Sequence, residues 1–232
     1  MKGQIMAKNS TEIEVNMIIG TDGKKVVPIR DGKDGQAVFT YCYDDLYDIE
    51  CVRNRRLLIN SEIDETIISS CVYHIMRWNR EDVGIKREDR KPIIIYINTP
   101  GGSVVDGYGL IDAMLASTTP VYTVNLAACY SMGFLIFIAG EKRYAMEHST
   151  FLCHDGSTGG YDSTTKMRDR INFESGAMEN ATKSYILDRT TISDKLYERK
   201  RREEWYFYAD EGKKNGVVTH IIGHDCGYDD IL

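Results

Sequence analysis

Residues 92–98 read Pro-Ile-Ile-Ile-Tyr-Ile-Asn, an apolar, β-branched run without polar alternation. A strand with one wet face alternates. A strand that does not alternate is covered on both faces, and such strands belong to parallel sheets layered by helices. This run therefore excludes an all-helical bundle and demands strand neighbours. Pro120 to Leu126 supplies a second buried strand. Further short strands are predicted at RLLIN (56–60), KRYAM (142–146), TFLCHD (150–155), WYF (205–207) and VVTHII (217–222). Helical spacing appears between them. It runs over Glu62 to Trp78 (Ile63, Ile67, Ile68, Val72, Ile75, Met76), over Val104 to Ala116, and in a short apolar helix that begins at Ser131. It returns in a long helix from about Tyr161 to Leu187, in SDKLYERKRR with Ser193 as its cap, and in ADEGKKNG. Strands that alternate with helices predict an α/β fold with a mostly parallel sheet.

The first 52 residues read differently. Asp22-Gly23 lies between two apolar runs and predicts a hairpin, so residues 1–52 are expected to form an appendage or arm and 53–232 the main domain. The formal net charge of -6 argues against a nucleic-acid partner. Basic clusters such as Arg199 to Arg202 lie beside acidic residues and read as solvated helix faces. No apolar run reaches the roughly 18 residues of a membrane span, and the N-terminal stretch shows no apolar signal region. The expectation is a cytoplasmic chain whose six scattered cysteines stay reduced. Cys153, His154, His224 and Cys226 lack zinc-ligand spacing, so no metal and no cofactor are expected.

One serine interrupts LAACYSMGFLIFIAG, residues 126–140. Most serines in such runs bond a backbone carbonyl one turn earlier and do nothing chemical. Ser131 differs in its setting, at the junction of a buried strand and a helix. That is the carboxyl edge of the sheet, where α/β folds place ligands. The amides of Met132 and Gly133 would be first-turn donors without intrahelical partners, suited to negative charge. Pro100-Gly101-Gly102 follows the preceding buried strand and lies on the same edge. The amides of Gly102 and Met132 could then face one oxyanion. Among five histidines, His154 alone stands at the exit of a core strand that follows the serine helix. An acid to orient it is offered by Glu203, Glu204 or Asp155, and spacing does not choose among them.

Together these features resemble the ClpP family of serine peptidases, the proteolytic subunits of caseinolytic ATP-dependent proteases. The likeness covers residues 55–232 and is carried by IYINTPGGSV, by YSMGFLIFIAGEKRYAM, by FLCHD followed by Gly159-Gly160, and by EWYFYADEGKKNGVV. The resemblance implies a crotonase-like β-β-α superhelix with a protruding handle helix, about 161–187. It implies Ser131 as nucleophile, His154 as general base and then acid, and Glu204 as the third member. Gly102 and Met132 would supply the oxyanion amides. Gly101, Ser103, Val104 and the segment from Thr158 through Gly159 to Gly160 would lie along an extended substrate peptide. The implied partners are unfolded polypeptides, an AAA+ unfoldase, and further copies in two stacked rings of seven. Met167, Ile171, Met178, Ala181 and Tyr185 would form the face through which handles meet. Glu204 stands where the family usually has Asp, and Ala127-Ala128-Cys129-Tyr130 where it has Gly-Gln-Ala-Ala. These departures mark a divergent member, of cellular or phage origin. Other readings are a phage prohead maturation protease, a non-catalytic ring subunit paired with an active paralogue, and an acyl-CoA enzyme of the crotonase fold. The last needs no Ser-His-acid set.

Overall fold

The fold grows outward from the unalternating run. In a computed structural model of the chain, that run is β4 (Ile93–Thr99), and Ile93, Ile94, Ile95 and Ile97 are all buried. The structure describes residues 51–156, 159 and 161–231, together with 18–19 and 25–26. β3 (Arg56–Ile59) pairs with one side of β4 and β5 (Val121–Tyr130) with the other, both in parallel. β6 (Lys142–Met146) and β9 (His220–Ile222) extend the sheet, again in parallel.

β5 is the pivot. Its first half, Tyr122 to Asn125, pairs with β6. Its second half, Ala128 to Tyr130, pairs with β7 (Thr150–Cys153). Between the halves the register against β4 slips, with Ile97 opposite Asn125 but Thr99 opposite Cys129. Such a bulge bends the strand and re-aims its end. Asn125, fully buried, holds the fork by donating from Nδ2 to the Thr150 carbonyl at 2.9 Å. β8 (Trp205–Tyr208) then closes the far side by pairing antiparallel with β7. The predicted parallel α/β sheet is thus observed, with one antiparallel edge.

Helices cover it. α1 (Tyr73–Glu81) follows a π-helical turn over Ile68–Val72. α2 (Val104–Ala116) is capped by Ser103, whose Oγ accepts from the Asp106 amide. α3 (Met132–Ala139) is buried on every side. α4 (Thr164–Phe173) and α5 (Glu179–Arg189) are joined through a π-helical segment, Glu174–Met178, into one long helix. α6 (Asp194–Lys200) and α7 (Ala209–Lys214) follow, and Ser193 caps α6 by accepting from the Leu196 amide.

Three sequence expectations need correction. Ile63 is not helical but forms a parallel bridge to Gly102, and the helix starts after it. The second buried strand runs on to Tyr130. In the last predicted strand only His220–Ile222 pairs, while Val217 and Val218 are buried ahead of it. The chain divides into two compact units, Met1–Asn54 and Arg55–Leu232. Within the first, β1 (Ile18–Ile19) pairs antiparallel with β2 (Lys25–Val26) on either side of Asp22-Gly23, which itself lies outside the described residues. Among the described residues, no helix is long and apolar enough to cross a membrane.

Candidate active site

Ser131 occupies the one-residue joint between β5 and α3. Its backbone adopts φ 51° and ψ -117°, a strained conformation for a residue with a Cβ. Such strain costs on the order of 1–3 kcal/mol and persists only where the surroundings over-determine it. Here they do. The Ser131 amide donates to the Leu152 carbonyl at 3.0 Å, and its own carbonyl accepts from Phe134 at 3.0 Å. The eight residues of α3 that follow are all buried.

The Pro-Gly-Gly turn presses on the same joint. A Cβ on Gly101 would lie 2.7 Å from the Ser131 Cβ and 2.8 Å from the Tyr130 carbonyl. Gly102 sits at φ 141°, and a Cβ there would lie 2.3 Å from the Ile63 carbonyl. Only glycine fits either position. The bridge that holds this turn uses the Gly101 carbonyl, which accepts from Ile63 at 2.7 Å, and the Ser103 amide, which donates to the Ile63 carbonyl at 2.8 Å. Among the described residues the Gly102 amide between them takes no acceptor. The Met132 amide is a first-turn donor of α3, with no carbonyl one turn earlier in the helix to receive it.

His154 follows β7 directly. The antiparallel register of β7 and β8 sets Cys153 opposite Trp205, which brings His154 alongside Glu204. His154 Nδ1 and Glu204 Oε1 are hydrogen-bonded at 3.0 Å. The opposite ring nitrogen, Nε2, is buried and has no hydrogen-bond partner among the described residues. Glu203, one residue earlier, turns away and accepts from Lys200 Nζ at 2.9 Å. Asp155 is held by its backbone, whose amide donates to the Arg201 carbonyl at 2.8 Å. Of the three acids that spacing left open, Glu204 is the one hydrogen-bonded to His154 among the described residues.

A cavity of about 450 Å³ is lined by both Ser131 and His154. Gly102, Ser103, Val104, Ser131, Met132 and His154 line one end of it, and the α4–α5 helix lines the other. Gly101 stands behind this wall, against Ser131. Gly159 is tied to the helix through its carbonyl, which accepts from Arg170 at 2.7 Å, while Thr158 and Gly160 lie outside the described residues. Tyr130 is turned away from the cavity. Its hydroxyl shares a hydrogen bond of 2.9 Å with Thr150 Oγ1, and its ring meets Tyr206 edge-on at 5.6 Å. Burial pushes the Cys129 thiol well up and the Cys153 thiol to about 12, so neither neighbour is a competing nucleophile at neutral pH. Desolvation and the adjoining Glu204 carboxylate raise the Tyr206 phenol. Sequence reasoning passed over Glu174, a cavity residue hidden in a long charged helix.

Comparison with known proteins gives the chain a family. The sequence profile of the Clp protease family matches residues 42–225. An ATP-dependent Clp protease proteolytic subunit of Pinus thunbergii is 29% identical over 202 residues, which is 86% of this chain and 97% of the relative. A proteolytic subunit 3 from Synechococcus is 29% identical over 177 residues, 73% of this chain and 83% of the relative. A proteolytic subunit 1 from Bacillus cereus is 27% identical over 183 residues, 76% of this chain and 90% of the relative. With a profile that spans most of its length and relatives that are Clp protease proteolytic subunits, the chain belongs to the Clp protease family and is a serine-type peptidase.

Proposed function

We propose that the chain is a ring-forming endopeptidase subunit that cleaves unfolded polypeptides through Ser131, His154 and Glu204. The observation that carries this reading is the state of His154. Its Nδ1 is engaged by Glu204 and its Nε2 is buried with no partner, in the cavity that Ser131 lines. A serine hydroxyl is a weak nucleophile until a base takes its proton. With the proton of Nδ1 directed to Glu204, Nε2 is the basic nitrogen that faces this task. Ser131 Oγ attacks the scissile carbonyl and its proton passes to Nε2. Glu204 then stabilises the imidazolium, and the same proton goes to the leaving amine. Water repeats the sequence on the acyl-enzyme. The charge that develops on the carbonyl oxygen falls to the amides of Gly102 and Met132, each donor typically worth about 3 kcal/mol.

The substrate would lie extended along Gly101 to Val104 on one side and Gly159-Gly160 on the other, adding strand-like hydrogen bonds. Assembly into two stacked rings through the α4–α5 helix, and delivery by an ATP-driven unfoldase, follow from the family reading. The relatives' own names carry ATP dependence. The test is covalent: a fluorophosphonate should add one label per chain to the wild type and none to Ser131→Ala. An unlabelled wild type would restore the non-catalytic ring subunit as the better account.

A further inference from the structure

Glu204 carries its carboxylate on a long side chain that is 61% exposed. Water leaves such a chain several rotamers, and only some of them set an oxygen on His154 Nδ1. An acid that visits the others leaves the imidazole free to turn, and a small misplacement is expensive in rate. Tyr206 is placed to narrow the choice. Its amide donates to the Glu204 carbonyl at 3.1 Å, a tight turn that fixes the two residues relative to each other. Trp205 between them is buried, while Glu204 and Tyr206 are both exposed. The Tyr206 phenol lies beside the Glu204 carboxylate. Desolvation raises its pKa first, and the charge of Glu204 and a hydrogen bond to it raise it further. At neutral pH the phenol therefore keeps its proton and donates it to the carboxylate.

The phenol is itself held by rigid parts. Tyr206 pairs with Leu152 in the β7–β8 ladder, and Leu152 pairs with Tyr130 in β5. Along this row the rings of Tyr206 and Tyr130 meet edge-on, with centroids 5.6 Å apart and planes at 87°. The Tyr130 hydroxyl is tied in turn. It shares a bond of 2.9 Å with Thr150 Oγ1, which donates to the Ala127 carbonyl at 3.2 Å. Tyr130 directly precedes Ser131, and the Leu152 carbonyl accepts the Ser131 amide. The row that fixes the serine joint at one end thus carries the phenol beside Glu204 at the other.

We propose that Tyr206 is a positioning residue for peptide hydrolysis, whose hydroxyl holds the Glu204 carboxylate on His154 Nδ1. The proposal rests on the reading of Ser131, His154 and Glu204 as the acting set. A residue that acts through another is exposed by a double-mutant cycle. Tyr206→Phe keeps the ring against Tyr130 and removes only the hydroxyl. Glu204→Ala removes the group that the hydroxyl holds. The wild type, both single variants and the double variant are compared as purified full-length protein on one internally quenched peptide. Tyr206→Phe should lower kcat about three- to tenfold, one hydrogen bond's worth, with KM and thermal midpoint unchanged. In the Glu204→Ala background the same change should cost nothing further. A loss of equal size in both backgrounds overturns the proposal, because a role in the fold alone does not depend on Glu204. Wild-type kcat in Tyr206→Phe overturns it as well. Fluorophosphonate labelling and the Glu204→Ala variant separate the two levels. A labelled wild type and an impaired Glu204→Ala protein, with either of those Tyr206 results, refute the positioning role alone. An unlabelled wild type, or wild-type kcat in Glu204→Ala, refutes the acting set and the positioning role with it.

Discussion

Ser131 and Glu204 are the proposed nucleophile and orienting acid, yet the protein holds them in opposite ways. The serine sits in strained backbone, pinned by the Leu152 carbonyl, pressed by Gly101 and followed by a helix with no exposed residue. The glutamate side chain is 61% exposed and is anchored by its bond to His154. The difference follows from what each position needs. A left-handed serine is stable only inside packing that leaves it no alternative. An acid that orients an imidazole needs only the correct register, and the β7–β8 ladder provides that through its backbone. Stability and chemistry are therefore fused at the serine and separate at the acid.

The largest expected effects lie on the fused side. Ser131→Ala should lower kcat on the order of 10⁶-fold, as loss of a triad serine does elsewhere. Gly102→Ala should damage both properties at once. The new Cβ would meet the Ile63 carbonyl at 2.3 Å and would be forced to φ 141°. We expect a destabilisation of about 2–4 kcal/mol, read as a lower thermal midpoint, together with a loss of about 10²-fold or more in kcat from a displaced donor. A Gly102→Ala protein with wild-type melting and activity would break the claim that this turn is over-determined.

On the separate side, Glu204→Gln should cost about 10²–10⁴-fold in kcat/KM while melting stays within a degree or two of wild type. If that variant unfolds, the contrast between the two ends is wrong. Glu204→Asp sharpens it further. The ladder fixes the backbone at Cys153 and Trp205, so the strand cannot move in to follow a shorter side chain. The carboxylate retreats from Nδ1, and a loss of about tenfold is expected although aspartate is the family's usual residue. Buried thiols offer a check by pH. Cys153 is raised to about 12 and Cys129 is raised well above its ordinary value, both by burial, so each thiol stays protonated at mildly alkaline pH. Iodoacetamide at pH 8.5 should leave both unmodified in the native protein and alkylate both in denaturant. Native labelling of Cys129, two residues from Ser131, would show that the serine joint opens.

Much of the fused side was legible in the sequence, because its signals are local. An unalternating β-branched run reads as a buried strand, Pro-Gly-Gly as a turn, and a serine before an apolar helix as the joint that leads into it. What misled was also local. Ile63 and Ile67 stand four residues apart and imitate a helix, but the Ile63 backbone is bound by the distant Gly101 and Ser103. Ala127 and Ala128 carry no strand signal, and pairing with β7 extends β5 past them. Arg170 and Glu174 have the spacing of a solvated helix pair. Nothing in a 3.6-residue period announces the π-helical segment that brings Glu174 to the cavity wall. The contact between His154 and Glu204 was the least legible part, since it depends on the ladder between β7 and β8, strands distant in the sequence.

That choice yields the smallest predicted effect and the finest test. Glu203 accepts from Lys200 Nζ at 2.9 Å, three residues back along the end of α6. Its side chain is 59% exposed, and such surface pairs contribute little, typically about 0.2–1 kcal/mol. Its amide donates to the Lys200 carbonyl, which finishes the helical turn and leaves Glu204 as the first residue free to join the strand. Glu203→Gln keeps the side chain's shape and removes only its charge. Peptide turnover should stay within twofold of wild type, and any loss in stability should be reversed by no more than removal of the lysine partner. The informative comparison pairs this variant with Glu204→Gln. If Glu203→Gln is damaging and Glu204→Gln is silent, the working register of β7 and β8 is shifted by one residue. If both are silent, Ser131 and His154 act as a dyad, and the exposed acid serves only to pin the ring.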